Sequence, residues 1–370
     1  MKIAVLTSSR ADYSILYPLL KKLYIESVYD IDIIAFGTHL SDHYGKTINN
    51  IIEDGFKIKY KISTSPLSDT PSNISMSIGD TINKFSSIWE NESYDLIIAL
   101  GDRYEMFAAC LSSIPFNIKI AHIHGGETTI GAFDDFFRNA ITQMSIIHFT
   151  AAEKYQNKVI AMKCNSTNVF NVGALSIDNL KQINLYTIEE FKSVYNIDLN
   201  YPSILITFQP ETVNYKMNAE YADILIDVFS MIKGYQLIIT MPNADTMGNT
   251  IRDKFENFIQ NTPYAIKIES FGTKGYLSCM KYSKMMLGNT SSGFIEASYF
   301  SKYVINVGKR QEGRITTPNI RNTNINKEEI LKLVKDFENY IPEEYSGIYG
   351  NGDAALKIIK YIKLFFSERI

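Results

Sequence analysis

A unit that repeats in kind, though not in sequence, most constrains this chain. It is a short apolar run, an abrupt stop in glycine and polar residues, and then a stretch with apolar residues at helical spacing. The run at 3–6 stops at Thr7-Ser8-Ser9-Arg10, and Ile15, Leu16, Leu19, Leu20 and Leu23 follow at helical spacing. The run at 31–36 stops at Gly37-Thr38-His39, and that at 96–100 stops at Gly101-Asp102-Arg103. The run at 118–121 ends in His122-Ile123-His124-Gly125-Gly126-Glu127, with Asp134, Asp135 and Arg138 shortly beyond. Apolar runs this short, ended by glycine and charge, are buried parallel strands whose C-terminal ends open into loops. Alternation with helices makes a parallel sheet covered on both faces.

The chain has 370 residues, enough for two such domains. The first series closes near Asn171-Val172-Gly173, and a polar helical stretch at 176–200 bridges to a second series. Strands are predicted at 203–208, 236–240, 265–268, 284–287 and 303–307, with helices at 219–232, 250–260, 274–282 and 293–300. The expected division is 1–173 and 174–353, with an amphipathic helix at 354–370 packing back on the first domain. The fold class is α/β, two doubly wound parallel-sheet domains facing across a cleft. Asp12 or Ser14 is expected to cap the first helix, with Pro18 near its first turn.

Net charge narrows the partners. At −3 the chain does not grip nucleic acid by overall charge, although a local basic pocket remains open. No apolar run reaches the roughly 18 residues of a membrane helix. Cys110, Cys164 and Cys279 lie far apart with no CxxC spacing, which suits a reducing, cytoplasmic setting and no structural metal.

The chemistry-bearing residues fall at predicted strand ends. Asp102, His124, Asp134 and Asp135 form the dense set of proton-transfer groups. His39, His43, His122 and His148 are weaker candidates, and His122 reads as a structural strand residue. Gly288-Asn289-Thr290-Ser291-Ser292-Gly293 follows one strand and precedes a predicted helix. Free N–H groups and hydroxyls there suit a phosphate, with Arg310 and Arg314 following as bidentate donors. A serine cap on a glycine turn is the competing reading. Glu296 is open between a ribose contact and an ordinary first-turn acid, and Arg10 between a ligand contact and a solvated charge. Together these residues point to a two-domain enzyme that binds a nucleotide diphosphate sugar.

Several stretches, taken in order, resemble one family. They are Thr7-Ser8-Ser9-Arg10-Ala11-Asp12-Tyr13, Leu100-Gly101-Asp102-Arg103-Tyr104-Glu105, His122-Ile123-His124-Gly125-Gly126-Glu127, Met241-Pro242-Asn243-Ala244-Asp245, Gly288-Asn289-Thr290-Ser291-Ser292-Gly293 and Gly308-Lys309-Arg310-Gln311-Glu312-Gly313-Arg314. Across nearly the whole chain the sequence is similar to the hydrolysing UDP-N-acetylglucosamine 2-epimerases of bacterial sialic and legionaminic acid biosynthesis. The resemblance implies the GT-B fold, a UDP-sugar substrate, no metal or nicotinamide cofactor, and a homo-oligomer, dimer or tetramer. It implies anti elimination of UDP to 2-acetamidoglucal, followed by hydration. Matching motifs make Asp102, His124 and Asp134 the catalytic set, and place Arg10, Ser14, Arg103, Gln209, Asn243, Thr290, Ser291, Glu296 and Arg310 on the nucleotide or sugar. Arg10, Ser291 and Arg310 would hold the diphosphate, and Glu296 the ribose.

Two positions depart from the family pattern. Many relatives carry His where Phe208-Gln209-Pro210-Glu211 has Gln209, a side chain that hydrogen-bonds but carries no proton. Many carry Glu where this chain has His124, and Glu127 lies close enough in sequence to share that role.

Overall fold

The computed structural model of the chain describes residues 1–66, 68–242 and 247–367, with residue 43 given by its backbone alone. Among these residues the strands form two sheets. The first comprises β1 (Lys2–Thr7), β2 (Asp30–Phe36), β3 (Ile58–Ile62), β4 (Leu96–Leu100), β5 (Ile120–Ile123), β6 (Ile147–Thr150) and β7 (Val169–Asn171), in the order β3-β2-β1-β4-β5-β6-β7. The second comprises β8 (Ser203–Thr207), β9 (Gln236–Thr240), β10 (Ala265–Ile268), β11 (Met285–Gly288), β12 (Tyr303–Val307) and β13 (Ile320–Thr323), in the order β10-β9-β8-β11-β12-β13. Every pairing is parallel. The order reverses beside β1 and β4 in one sheet and beside β8 and β11 in the other. Those are the switch points where doubly wound folds take their ligands.

The central strands are largely apolar because both faces are covered. Along β1, Ile3 and Val5 enter one core with Ile33, Leu96 and Ile98, while Ala4 and Leu6 enter the opposite core with Ile34, Phe36 and Ile97. In the second sheet Ile204 and Ile206 pack with Leu237 and Ile239, and Leu205 packs on the other side with Ile238 and Met286. Strand side chains alternate between faces, so a run with no polar alternate needs a layer on each side.

By contacts, the chain divides into two compact units. One is Met1–Glu127, Asp134–Gln182 and Gly347–Ile370; the other is Thr128–Phe133 and Ile183–Ser346. The sequence division at 173/174 differs from this one, for a reason visible in helix Leu175–Gln182. Its Asp178 accepts from the N–H groups of Ala354 (3.0 Å) and Ala355 (2.8 Å), holding the start of helix Ala354–Ser367. A carboxylate suits the positive end of a helix and its orphan donors. Its Asn179 donates to Ser14 O at 2.6 Å.

That last bond explains a misread position. Pro18 sits in the middle of helix Arg10–Leu23, not near its start. Proline has no N–H to give to the carbonyl four residues back. Asn179 supplies the missing donor to that carbonyl. The cap is also displaced from expectation: Ser9 is the N-cap and accepts from Asp12 N, so Arg10 opens the helix. Asp12 turns back to accept from the N–H and hydroxyl of Ser8.

Residues Thr128–Phe133 belong to the second unit by well-defined bonds. Ile130 N donates to Glu312 O (3.2 Å), Gly131 N to Lys309 O (3.2 Å) and Phe133 N to Thr212 Oγ1 (2.9 Å). No helix among the described residues is long and apolar enough to cross a membrane.

His39 illustrates how burial ties stability to pH. Its ring lies between Thr7 Oγ1 and Thr47 Oγ1, each at 2.9 Å, and is fully buried. Burial, with the charge of Arg103 second, pushes its imidazolium down to about 3 from the ordinary histidine value of 6.5. The unfolded chain therefore binds the proton first, and stability is lost as pH falls from 6.5 towards 3. Between pH 7 and pH 5 this single group removes about 2 kcal/mol. Urea unfolding at the two pH values should show the unaltered protein losing that much more than His39→Gln. Equal losses would dismiss the assignment.

Candidate functional site

In each unit the candidate residues follow the C-terminal ends of strands. In the first unit the site begins where β5 ends. His122, inside that strand, is satisfied on both nitrogens, Nδ1 by Thr142 Oγ1 (3.1 Å) and Nε2 by Gly101 O (2.8 Å), so it is structural as expected. Burial pushes its imidazolium down to about 4, keeping it neutral. His124, two residues on, leaves the strand with φ +66°, unusual for a residue with a side chain. Its N–H is anchored to Phe149 O at 2.9 Å. The next turn rests on Gly126, at φ +80°, where a Cβ would lie 2.4 Å from Tyr155 O. That turn returns the chain so that Glu127 Oε1 lies 2.7 Å from His124 Nδ1, both side chains being buried. Nε2 of His124 is buried without a hydrogen-bond partner.

Asp102 follows β4, and its carboxylate is paired with the Arg138 guanidinium. Arg138 is only 2% exposed, and its other arm lies 3.7 Å from Asp135. Asp134, Asp135 and Arg138 are all on helix Asp134–Met144, the two acids in its first turn, where the helix dipole favours them. Lys158 borders the group and donates to Glu127 O at 3.4 Å. Burial pushes its ammonium down from the usual lysine range, against the pull of Asp135. The predicted Asp102 and His124 thus lie on adjoining strand ends, and Asp134 opens the helix that carries Arg138.

The other predicted residues of this unit are more committed to structure. Arg103 closes its fork on Glu105, Nε to Oε2 at 3.1 Å and Nη2 to Oε1 at 3.0 Å. Glu105 is wholly buried, so burial pushes its carboxyl up while the Arg103 charge pulls it down. Arg103 is therefore the counterion of a buried acid, whatever else it touches. Ser14 donates its hydroxyl to Ala11 O at 2.9 Å, and Arg10 sits at the first position of its helix.

In the second unit three loops are knitted together at the ends of β8, β11 and β12. Asn289, fully buried, accepts from Gln209 N at 2.6 Å and donates to Gln209 O at 2.8 Å. Gln311 donates to Asn289 O at 2.8 Å and accepts from Arg314 Nε at 2.5 Å. Arg310 Nη1 donates to Pro210 O at 2.8 Å, and Lys309 N to Glu211 Oε1 at 2.6 Å. Ser292 Oγ meets Tyr276 OH at 2.6 Å and Thr290 Oγ1 at 3.2 Å. Thr290, Ser291, Gln209 and Arg310 are thereby placed on mutually braced loops.

Here the structure corrects the predicted helix at 293–300. A single 3-10 turn, Ser291–Gly293, is followed by a four-residue helix, Glu296–Tyr299. A helix that short has little dipole, so an anion here would rely on the hydroxyls and arginines. Glu296 is the first residue of the short helix. Asn243 lies outside the described residues, as do Ala244 and Asp245 of the same motif and the side chain of residue 43. Among the described residues no cluster of three or more His, Cys, Asp or Glu could hold a metal ion.

A family model described as UDP-N-acetylglucosamine 2-epimerase matches residues 21–363. This chain belongs to that family. Among curated relatives, "GDP/UDP-N,N'-diacetylbacillosamine 2-epimerase (hydrolyzing)" of Campylobacter jejuni is 33% identical over 88% of this chain and 85% of its own length. "Polysialic acid biosynthesis protein P7" of Escherichia coli is 31% identical over 100% of this chain and 95% of its own. Among solved structures, the UDP-GlcNAc 2-epimerase of Neisseria meningitidis bound to UDP-GlcNAc superposes with TM-score 0.83 at 16% identity, covering 98% of this chain and 100% of that one. At that identity the likeness speaks for the fold, which is GT-B. The family is that of hydrolysing UDP-sugar 2-epimerases.

Two features of the site are not legible in the sequence. The braces Asn289 and Gln311 carry no chemistry-bearing signal, since they reach backbone groups far along the chain, those of Gln209 and Asn289. Glu127 was legible as a nearby acid, but its contact with His124 depends on the Gly125-Gly126 turn.

Proposed function

We propose that this protein is a hydrolysing UDP-N-acetylglucosamine 2-epimerase, converting UDP-N-acetylglucosamine and water to N-acetylmannosamine and UDP for sialic acid synthesis. The observation that carries this reading is the set of proton-transfer groups after β4 and β5, Asp102, His124 and Asp134, with a buried imidazole nitrogen that no protein group engages. In the first step a base takes the hydrogen on C2. The C1–O bond breaks on the opposite face, its electron pair leaving with UDP, and the C1=C2 bond of 2-acetamidoglucal forms. That hydrogen is not acidic, so C1–O cleavage runs ahead and positive charge builds on the ring. Carboxylates stabilise such a state, as in glycosidases.

In the second step the C1=C2 π bond opens: the oxygen of water bonds to C1 as water gives up a proton, and a proton arrives at C2 on the face opposite the one that lost the hydrogen, giving the manno configuration. Asp102 or Asp134 removes the C2 hydrogen, and His124 protonates the glucal or activates the water. Arg10, Ser291 and Arg310 hold the diphosphate and stabilise it as leaving group. Glu296 holds the ribose, and Ser14, Arg103, Gln209, Asn243 and Thr290 complete the contacts. The net reaction is redox-neutral and uses no cofactor. A homo-oligomer, dimer or tetramer, goes with this reading.

The Campylobacter relative favours a second substrate, a UDP-linked 2,4-diacetamido-2,4,6-trideoxy sugar, with the same chemistry. One assay separates the two. Each UDP-sugar is incubated with the purified chain in heavy water and followed by NMR. Deuterium at C2 of free N-acetylmannosamine is the expected outcome. Turnover of the diacetamido sugar alone transfers the assignment to the second substrate. With both sugars left intact, a glycosyltransferase or a non-catalytic sensor takes their place.

A further inference from the structure

Resting on the epimerase reading but going beyond it, we infer that Glu127 is the positioning residue of His124: it holds the ring by Nδ1 so that Nε2 is the nitrogen that works on the sugar. Three observations carry this. First, Glu127 Oε1 approaches His124 Nδ1 to 2.7 Å, an ion-pair contact and not an aligned hydrogen bond, and both side chains are almost fully buried, at 2% and 6% exposure. A buried carboxylate is retained beside a histidine where it has a cation or an N–H to face.

Second, the approach is built by the chain. His124 is fixed by its N–H to Phe149 O, and Glu127 by Lys158 on its carbonyl. The turn between them is locked by Gly126 packed against Tyr155 O and the Val159 side chain. Third, Nε2 is buried with no hydrogen-bond partner, whereas both nitrogens of His122 are engaged. An unsatisfied buried polar atom is costly and is tolerated where a ligand supplies the missing partner. His148 also buries one such nitrogen, but the charges around it are those of His122 and Lys163, which oppose protonation.

The chemistry follows from the geometry. A carboxylate at Nδ1 favours the tautomer with the proton on Nδ1 and the lone pair on Nε2, and it stabilises the imidazolium once Nε2 takes a second proton. Nε2 then serves the hydration step, where one proton leaves water and one arrives at C2. Glu127 itself does not touch the sugar in this account.

The test uses the intact chain labelled with 15N-histidine. The chain has five histidines, and His124→Gln assigns the ring of interest. In the unaltered protein Nδ1 should carry a proton. In Glu127→Ala the ring should shift to the Nε2–H form that imidazole prefers in water. Glu127→Ala and the near-isosteric Glu127→Gln should each lower kcat by about 10- to 100-fold, with KM and inhibition by UDP nearly unchanged. An unchanged ring form in Glu127→Ala overturns the inference, even if kcat falls, because Glu127 would then act on the substrate directly. A loss carried wholly by KM overturns it too. Should Glu127→Ala fail to fold, the kcat and KM of Glu127→Gln decide in the same way. The ring measurement needs no substrate, so it stands or falls separately from the epimerase assignment.

Discussion

Asp102→Asn, His124→Gln and Asp134→Asn, made singly, should each lower turnover of UDP-N-acetylglucosamine by about 10²- to 10⁴-fold, the usual worth of a positioned acid or base. The signature lies in the intermediate. A variant that has lost the hydration group still eliminates UDP and should release 2-acetamidoglucal, whereas a variant that has lost the C2 base should release neither glucal nor UDP. NMR of the quenched reaction reads both products. Near-normal turnover in all three variants would sink the assignment. Asp102→Asn has a second effect that the others lack, because Arg138 is 2% exposed and paired with Asp102. Removing that charge leaves Asp135, at 3.7 Å, as the nearby acid, and the variant should be about 1–3 kcal/mol less stable in urea. Activity loss in this variant therefore has to be measured well below its unfolding midpoint.

Gly288→Ala should destabilise the second unit by about 3–5 kcal/mol, at the top of the range for single substitutions. Gly288 ends β11 at φ +148°, and a Cβ there would lie 1.9 Å from Thr207 O. Its strand neighbour cannot yield, since Gly288 and Thr207 are register partners in the middle of the sheet and β8 is buried along its length. The crowding at this glycine comes from the protein's own backbone. UDP binding should disappear with the fold of this unit. Gly79 is the control: it lies inside helix Pro71–Asn91 with nothing within 4 Å of a Cβ. Gly79→Ala should gain roughly 0.5–1 kcal/mol through helix propensity alone. Equal urea midpoints for the two variants would refute the steric argument.

Much of the fold was legible, for a definite reason. A strand covered on both faces must be apolar along its buried run, as β4 is throughout and β1, β8 and β12 are at 3–6, 204–206 and 303–305, so each announces itself without help from its neighbours. Edge strand β13 does not. Its residues Ile320–Thr323 bury one side chain, and neither it nor helix Lys327–Asp336 was expected from the pattern. Helix ends were less legible than helix bodies, because Ser9, Asp12 and Ser14 are all good caps and only the path out of β1 selects Ser9.

By itself, the order of residues determined the class of sheet, the loops that carry acids and arginines, and the family, because periodicity and short motifs are local properties. Tertiary structure alone decided which of those side chains meet: Asn179 on the carbonyl that Pro18 leaves open, Asn289 across to Gln209, Arg138 to Asp102, Glu127 to His124. Most of these contacts join separate elements, and the last depends on a turn whose path is set by a neighbouring helix. Spacing along a chain does not encode distances that packing creates.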